Sequence, residues 1–132
     1  MSNFHYFNDA EIAKWQLEPE LWARLDQARD KAGVPFVITS GRRTQDQNSS
    51  LRGAVSNSAH LSGLAVDMST NGDDHFLNRI LYGLGCAGFD RIGLYFSPDP
   101  NNPSRLIPHH VHCDISKVLP PMVTWALLEQ NA

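Results

Sequence analysis

Residues 58–68 read Ser-Ala-His-Leu-Ser-Gly-Leu-Ala-Val-Asp-Met, a polar loop that leads into a short apolar segment. The apolar part, residues 64–68, is short and aliphatic, which is typical of a buried strand. Gly63 lies at the junction, where the chain has to bend and where glycine meets the least steric resistance. We therefore expect His60, in the loop, and Asp67, on the strand, to converge on one point in the fold.

Two segments around this strand have helical patterns. A helix should begin at Pro19 and end at Gly33, because proline favours the first helical turn and glycine the C-terminal cap. Its apolar stripe consists of Leu21, Trp22, Leu25, Ala28 and Ala32. A second helix should follow the capping residues 71–74, end at Gly85 and direct Phe76, Leu77, Ile80, Leu81 and Leu84 inward.

The remaining patterns complete an α+β prediction. Further strands are expected at residues 35–39, 91–96 and 109–115, with a long polar loop at 40–58 and a turn at 98–103. Pro121 should start a short helix that carries Trp125 and Leu128. We predict one domain over residues 1–132, with a small, largely antiparallel sheet flanked by helices on one side and a zinc site on the sheet.

The predicted strand at 109–115 is rich in histidine. Side chains alternate along a strand, so one face should hold His110, His112 and Asp114, and the other His109, Val111 and Cys113. A lone histidine is usually a hydrogen-bonded structural residue, but three histidines within four positions favour a metal site. Asp114 is placed to hydrogen-bond a ligating imidazole and orient it.

Two imidazoles and one carboxylate can hold a zinc ion and leave one coordination position open for water, as hydrolases require. These ligands do not by themselves choose zinc over another divalent metal. Non-haem iron oxygenases also use two histidines and a carboxylate. Their histidine and carboxylate usually lie close together in sequence on an all-β fold, whereas seven residues separate His60 from Asp67 and helices are predicted.

The composition excludes several other classes of protein. A net charge of −3 argues against a nucleic-acid binder, and no apolar run approaches the length needed to cross a membrane. The first residues lack the basic and apolar regions of a signal peptide, so we expect synthesis in the cytoplasm. In that compartment Cys86 and Cys113 should be reduced thiols. The oligomeric state is not predicted.

The motif at residues 58–67, followed by the late His-x-His, resembles the zinc D-Ala-D-Ala carboxypeptidases and L-alanyl-D-glutamate endopeptidases of the M15 peptidase group. The resemblance extends upstream to residues 38–43, which look like that family's Ser-Gly-Tyr-Arg, and to Asn48 and Gly53. It implies that the zinc ligands are His60, Asp67 and His112.

The resemblance also implies residues that act on the substrate. Arg43 matches an arginine that binds a substrate carboxylate, for which a planar cationic fork is suited. Ser58 matches the motif's serine, which we expect to support the site and not to act as a nucleophile. Arg42 stands where the family usually has tyrosine, which would alter the substrate subsite without abolishing metal binding.

The residues at the expected general-base position differ from one of the family's patterns. Many relatives have Glu or Asp three residues before the last zinc ligand, where this chain has His109, and others have a histidine two residues before it, as at His110. Histidine suits the role because its ordinary pKa is about 6.5. We predict that His110 is the base, with His109 as second candidate, because strand alternation puts His110 on the same face as His112.

The resemblance implies a zinc-dependent hydrolase that cleaves a peptide bond in peptidoglycan stem peptides or soluble muropeptides. Three settings fit: a phage or prophage lysis enzyme released to the cell wall by lysis machinery, a component of a virion, and an intracellular muropeptide-recycling enzyme. The alternative is a non-catalytic zinc-binding module. The hedgehog signalling domain is similar in arrangement, and its His-x-His-Cys run is close to residues 110–113.

Overall fold

A computed structural model describes residues 3–44 and 58–128 of the chain. The helices in these residues are α1 (Asp9–Trp15), α2 (Pro19–Ala32) and α3 (Asp74–Cys86), with a short 3-10 helix at Ala59–Ser62. The strands are β1 (Ile38–Ser40), β2 (Ala65–Ser69), β3 (Arg91–Asp99), β4 (Asn102–Asp114) and β5 (Val123–Leu128). Asn48, Gly53 and most of the predicted loop lie outside the described residues.

Helix α2 forms as its local signals predict. Pro19 is in the first turn, and Gly33 caps the C-terminus in the left-handed conformation with φ 72°. All five residues of the predicted apolar stripe are buried, and they pack in the hydrophobic core between the helices and the sheet. The periodic burial of this face gives the helix its tertiary stability.

Helix α3 packs against α2 at a glycine. Asp73 caps its N-terminus by accepting a hydrogen bond from the backbone N–H of Phe76 at 2.9 Å, and the helix ends at Cys86, one residue beyond the predicted Gly85. A Cβ atom added at Gly83 would lie 2.3 Å from the carbonyl oxygen of Ala28. The two helices can therefore approach this closely only because residue 83 has no side chain.

Gly83→Ala is expected to lower the free energy of unfolding by about 1–3 kcal/mol, because the added methyl group meets backbone that cannot move aside cheaply. Gly85→Ala is the matched control in the same helix, since a Cβ there meets nothing within 4 Å. Alanine's better helix propensity should make that variant neutral or up to about 1 kcal/mol more stable. Urea unfolding measures both, and equal midpoints for the two variants would contradict the close approach.

The five strands form one sheet in the order β1-β2-β4-β3-β5. All neighbouring pairs are antiparallel except β3 and β5, which are parallel. Val66, Met68, Val111 and Cys113 are buried in the hydrophobic core that the helices cover. Asp67 and His112 alternate with these residues and therefore lie on the opposite face. The architecture confirms the predicted α+β fold with a largely antiparallel sheet.

The predicted C-terminal helix is wrong. Residues 123–128 form strand β5, which pairs in parallel with β3 from Arg91↔Val123 to Phe96↔Leu128. The segment begins Val-Thr-Trp, three residues that favour strands, and it completes the sheet along an edge of β3 that would otherwise lack a partner. Trp125 is consequently a sheet residue and not part of a helix.

The β3–β4 hairpin is longer than predicted. Its strands extend through Pro98 and Pro103, so that the predicted six-residue turn shortens to Pro100 and Asn101. Proline is tolerated here because the outer part of β4 is exposed and its ladder is incomplete, with a register shift between Pro98 and Asp99.

Cys86 is exposed, Cys113 is buried, and both are free thiols. Among the residues that the structure describes, no helix is long and apolar enough to cross a membrane.

Candidate metal centre

One row of neighbouring positions crosses the whole sheet and organises the site. Ser40 pairs with Asp67, Asp67 with His112, His112 with Gly93, and Gly93 with Trp125. We call these five residues the site row. Pairing of β2 with β4 thus brings Asp67 next to His112, although 45 residues separate them in the chain.

His60 reaches the site row from the 3-10 helix. The Ser58 hydroxyl caps this helix by accepting a hydrogen bond from the His60 backbone N–H at 3.2 Å, and Gly63 ends it with φ 75°. The His60 ring is 2% exposed, and its Nδ1 lies 2.8 Å from the Gly41 carbonyl oxygen. Because a carbonyl can only accept, Nδ1 carries the proton and Nε2 of the neutral ring presents a lone pair.

The Nε2 atom of His60 is the strongest sign of an ion in this site. It is buried and has no hydrogen-bond partner in the described part of the chain, although Asp67 Oδ1 lies 3.4 Å away. A buried polar atom without a partner costs free energy, so such an atom calls for an explanation. A metal ion that accepts the Nε2 lone pair would supply the missing partner.

His112 is oriented by a buried carboxylate. Its Nε2 donates to Asp114 Oδ2 at 2.7 Å, which leaves Nδ1 directed at Asp67 Oδ1, 3.0 Å away. Asp114 is 1% exposed, and its Oδ1 accepts from Arg91 Nε at 2.6 Å and from the Ser116 N–H at 3.1 Å. Ligating histidines in metal sites are held by outer carboxylates in this way.

Asp67 connects the two histidines. Burial alone would raise the pKa of its carboxyl, but the hydrogen bond to the adjacent His112 imidazole is the largest of the effects that hold that pKa well below its usual range. One ligand atom from each of the three residues can be chosen so that all lie within 4.8 Å of one another. Two oriented imidazoles, an ionised carboxylate and an unsatisfied Nε2 fit a zinc ion with an open coordination position.

Zinc binding near pH 7 is expected to release one proton from His112. Burial disfavours its charged ring, but hydrogen bonds to Asp114 and Asp67 raise the pKa of metal-free His112 to about 9. A ligating imidazole must be neutral, so the apparent zinc affinity should rise by about tenfold per pH unit below that pKa. Calorimetry in buffers of different ionisation enthalpy counts the proton, and its absence at pH 7 would refute the assignment.

The two candidate bases lie beside one another at a β-bulge. Tyr95 pairs with His110 but Phe96 pairs with Pro108, so His109 is an extra residue in β4. The expected separation of the two rings by strand alternation is therefore wrong, because their Nδ1 atoms are only 2.7 Å apart. His110 also stacks on the Tyr95 ring, with centroids 4.2 Å apart.

Arg43 is also brought to the site. Its guanidinium NH2 lies 3.3 Å from Asp67 Oδ2 and its Nε 3.3 Å from the Ser40 hydroxyl, while its backbone N–H donates to the His60 carbonyl. The side chain is 15% exposed, so it borders the site and is still open to solvent at its surface. Its predicted role, binding of a substrate carboxylate, stays a prediction, as does the supporting role of Ser58.

Sequence reasoning missed the residues that the parallel pairing of β5 adds. The centroid of the Trp125 ring lies 5.3 Å from that of the His112 ring. The Tyr95 hydroxyl, which belongs to no motif, accepts a hydrogen bond from the Trp125 indole N–H. Gly93 is the local feature of the sequence that could have indicated the approach of Trp125, because a glycine inside a strand often marks the close approach of another group.

Comparison with known proteins bears on the identity of the site. A family model described as Peptidase M15 matches residues 6–99. Neither the curated proteins nor the solved structures gave a match. The matched residues include Arg43, His60 and Asp67 and end before β4, so it is the sheet register that joins His112 to them. The chain belongs to the M15 peptidases, a family of zinc-dependent metallopeptidases.

Proposed function

We propose that this protein is a zinc peptidase that hydrolyses a stem-peptide bond of bacterial peptidoglycan or of a soluble muropeptide. The bond is either D-Ala-D-Ala or L-Ala-D-Glu. One observation carries the proposal: in an M15 chain, the buried and unsatisfied Nε2 of His60 faces Asp67 and His112. These three residues would hold the ion, with Gly41 and Asp114 fixing the imidazoles.

Bound zinc would supply Lewis-acid activation of a water molecule and of the scissile carbonyl. The protein must then move a proton from the attacking water to the leaving amine. His110 is the proposed base, since the strand register is regular between His110 and His112 and puts both on the site face, and its stacking on Tyr95 orients the ring. The 2.7 Å contact between the Nδ1 atoms of His110 and His109 allows only one hydrogen between them, so each ring fixes the tautomer of the other.

Arg43 is the proposed anchor for a carboxylate of the stem peptide. It lies at the β1 side of the site row, where its guanidinium contacts Asp67 and Ser40. A carboxylate held there would set which peptide bond reaches the metal centre. Because Asp67 faces the two imidazoles through Oδ1 and Arg43 through Oδ2, the arginine can bind substrate without competing for the metal-facing oxygen.

Arg43→Ala is expected to reduce kcat/KM by about 10- to 100-fold, the loss of one charge-assisted hydrogen-bonding group, with zinc still bound. Arg105→Ala is the matched control, because Arg105 lies on the β3–β4 hairpin, is half-exposed, and pairs with Asp99 of the hairpin and with Asp74 at the start of α3. Steady-state kinetics and metal analysis separate the two effects. Unchanged turnover in Arg43→Ala would remove the anchor from the mechanism.

Mass spectrometry of purified peptidoglycan and muropeptides tests the proposal, with zinc-loaded protein compared with chelator-treated protein. A chelator-sensitive loss of one alanine would identify a carboxypeptidase, and release of a peptide that begins at D-Glu would identify an endopeptidase. If protein with stoichiometric zinc yields no product, the peptidase proposal fails in favour of the non-catalytic zinc-binding module.

A further inference from the structure

Trp125 forms a wall of the metal centre that no ligand motif requires. Its ring lies over Gly93, where an added Cβ would be 2.6 Å from the indole. It therefore reaches back across β3 to His112, with the ring centroids 5.3 Å apart. The glycine in the site row is what allows an aromatic side chain of the edge strand to border the candidate metal site.

Three contacts hold the indole in place. Its Nε1–H donates to the Tyr95 hydroxyl at 3.1 Å, the Arg91 guanidinium carbon lies 5.5 Å from the ring centroid, and His112 borders its inner edge. The residue is half-buried, so part of the ring still faces solvent on the site face of the sheet. An oriented, partly exposed aromatic ring beside a metal centre offers a flat apolar surface to a ligand.

Trp125 and Arg43 lie at opposite ends of the site. Arg43 contacts Ser40 and Asp67 at the β1 side of the site row, and Trp125 comes from β5 at the other side. A peptide that places a carboxylate on Arg43 and crosses the metal centre along this row brings its acyl-side residue to Trp125. In both D-Ala-D-Ala and L-Ala-D-Glu the acyl-side residue is alanine.

We propose that Trp125 is a substrate-positioning residue whose indole packs against the alanine side chain on the acyl side of the scissile bond. This inference rests on the proposed function and assigns its subsite. The indole would cover the alanine methyl group and hold the scissile carbonyl over the metal centre. Tyr95 and Gly93 serve the same subsite indirectly, because one anchors the indole and the other makes room for it.

The test compares a D-Ala-D-Ala or L-Ala-D-Glu substrate with its analogue that has glycine on the acyl side. Wild-type protein should prefer alanine by about 4- to 10-fold in kcat/KM, the value of one buried methyl group. Trp125→Ala should reduce this preference to about one, raise KM and retain stoichiometric zinc. Calorimetric binding of both peptides to chelator-treated protein gives the same preference without turnover.

Two further variants and a control test the alanine preference without relying on Trp125→Ala alone. Gly93→Ala should displace the indole and reproduce the loss, and Tyr95→Phe should weaken the preference while keeping the ring that stacks on His110. Leu128→Ala is the control, because Leu128 is exposed and alternation places it on the other face of β5. If Trp125→Ala does not fold, Tyr95→Phe supplies the decisive comparison.

The outcomes separate this inference from the function on which it rests. Cleavage with an unchanged alanine preference in Trp125→Ala and Tyr95→Phe would overturn the subsite and leave the peptidase intact. Absence of any chelator-sensitive product from wild-type protein would overturn the peptidase and the subsite together. Loss of zinc from Trp125→Ala would show that the ring supports the metal site and not the substrate.

Discussion

Asp67→Ala is expected to abolish zinc binding and peptidase activity together. Within residues 3–44 and 58–128, the Asp67 carboxylate is the one anionic group that faces both His60 Nε2 and His112 Nδ1. Loss of an outer partner of a ligand typically costs about 10- to 100-fold in metal affinity, so loss of a direct ligand should cost more. It would also leave the Arg43 guanidinium without its carboxylate partner at 3.3 Å.

Metal analysis after dialysis and chelator-sensitive cleavage of muropeptides measure the two losses in Asp67→Ala. Asp74→Ala is the matched control, because Asp74 is an exposed carboxylate at the start of α3 and its loss should change neither property. Full activity in the Asp67 variant would disprove the metal assignment. Zinc bound as tightly as in wild-type protein would do the same, whatever the activity.

Asp114→Ala is expected to have the largest effect on stability. Asp114 is 1% exposed and neutralises Arg91, whose side chain is 10% exposed, through the 2.6 Å contact between Oδ1 and Nε. Removing one partner of a buried ion pair leaves an uncompensated charge, at a cost of about 3–5 kcal/mol. The variant also frees His112 Nε2, so zinc affinity should fall by about 10- to 100-fold.

Urea unfolding of metal-free protein and zinc competition with a chelator test both parts of this prediction. Lys117→Ala is the stability control, since its pair with Glu20 is exposed and should contribute less than about 1 kcal/mol. The double variant Asp114→Ala/Arg91→Met also removes the buried charge of Arg91. It should regain most of the stability lost in Asp114→Ala, while its zinc affinity stays low. An Asp114→Ala variant as stable as the Lys117 variant would contradict the buried pair.

Local signals predicted the elements that depend on local physics. The start, the end and the buried face of helix α2 are all determined within fifteen residues. Pro19 favours the first turn, Gly33 caps the C-terminus, and the apolar stripe defines the buried face. The bend at Gly63 is similarly local, and the structure places it at φ 75° as the C-cap of the 3-10 helix. The motif residues His60 and Asp67 could therefore be located on the correct elements before any tertiary contact was known.

The errors arose where distant strands decide the conformation. Residues 123–128 are a short apolar run that suits a helix or a strand, and only the open edge of β3 selects the strand. The ring contact of His109 and His110 depends on the β-bulge at His109. The backbone carbonyl of His109 accepts a hydrogen bond from the hydroxyl of Thr70, 39 residues away in the chain. Trp125 could not be assigned to the site because its approach requires the pairing of β5 over Gly93.

The bulge at His109 restricts how the length of this chain can vary. Thr70 binds the His109 carbonyl through both its N–H, at 3.3 Å, and its hydroxyl, at 3.0 Å, which fixes β4 against the end of β2. Deletion of one residue between this point and Asp114 would exchange the two faces of the strand and turn the Cys113 thiol toward Asp67. Insertions at Pro100 and Asn101 extend the far end of the hairpin and leave the pairing at His112 intact. The hairpin tip is thus the place where added segments, such as a binding loop or an affinity tag, can be accommodated without loss of the metal centre.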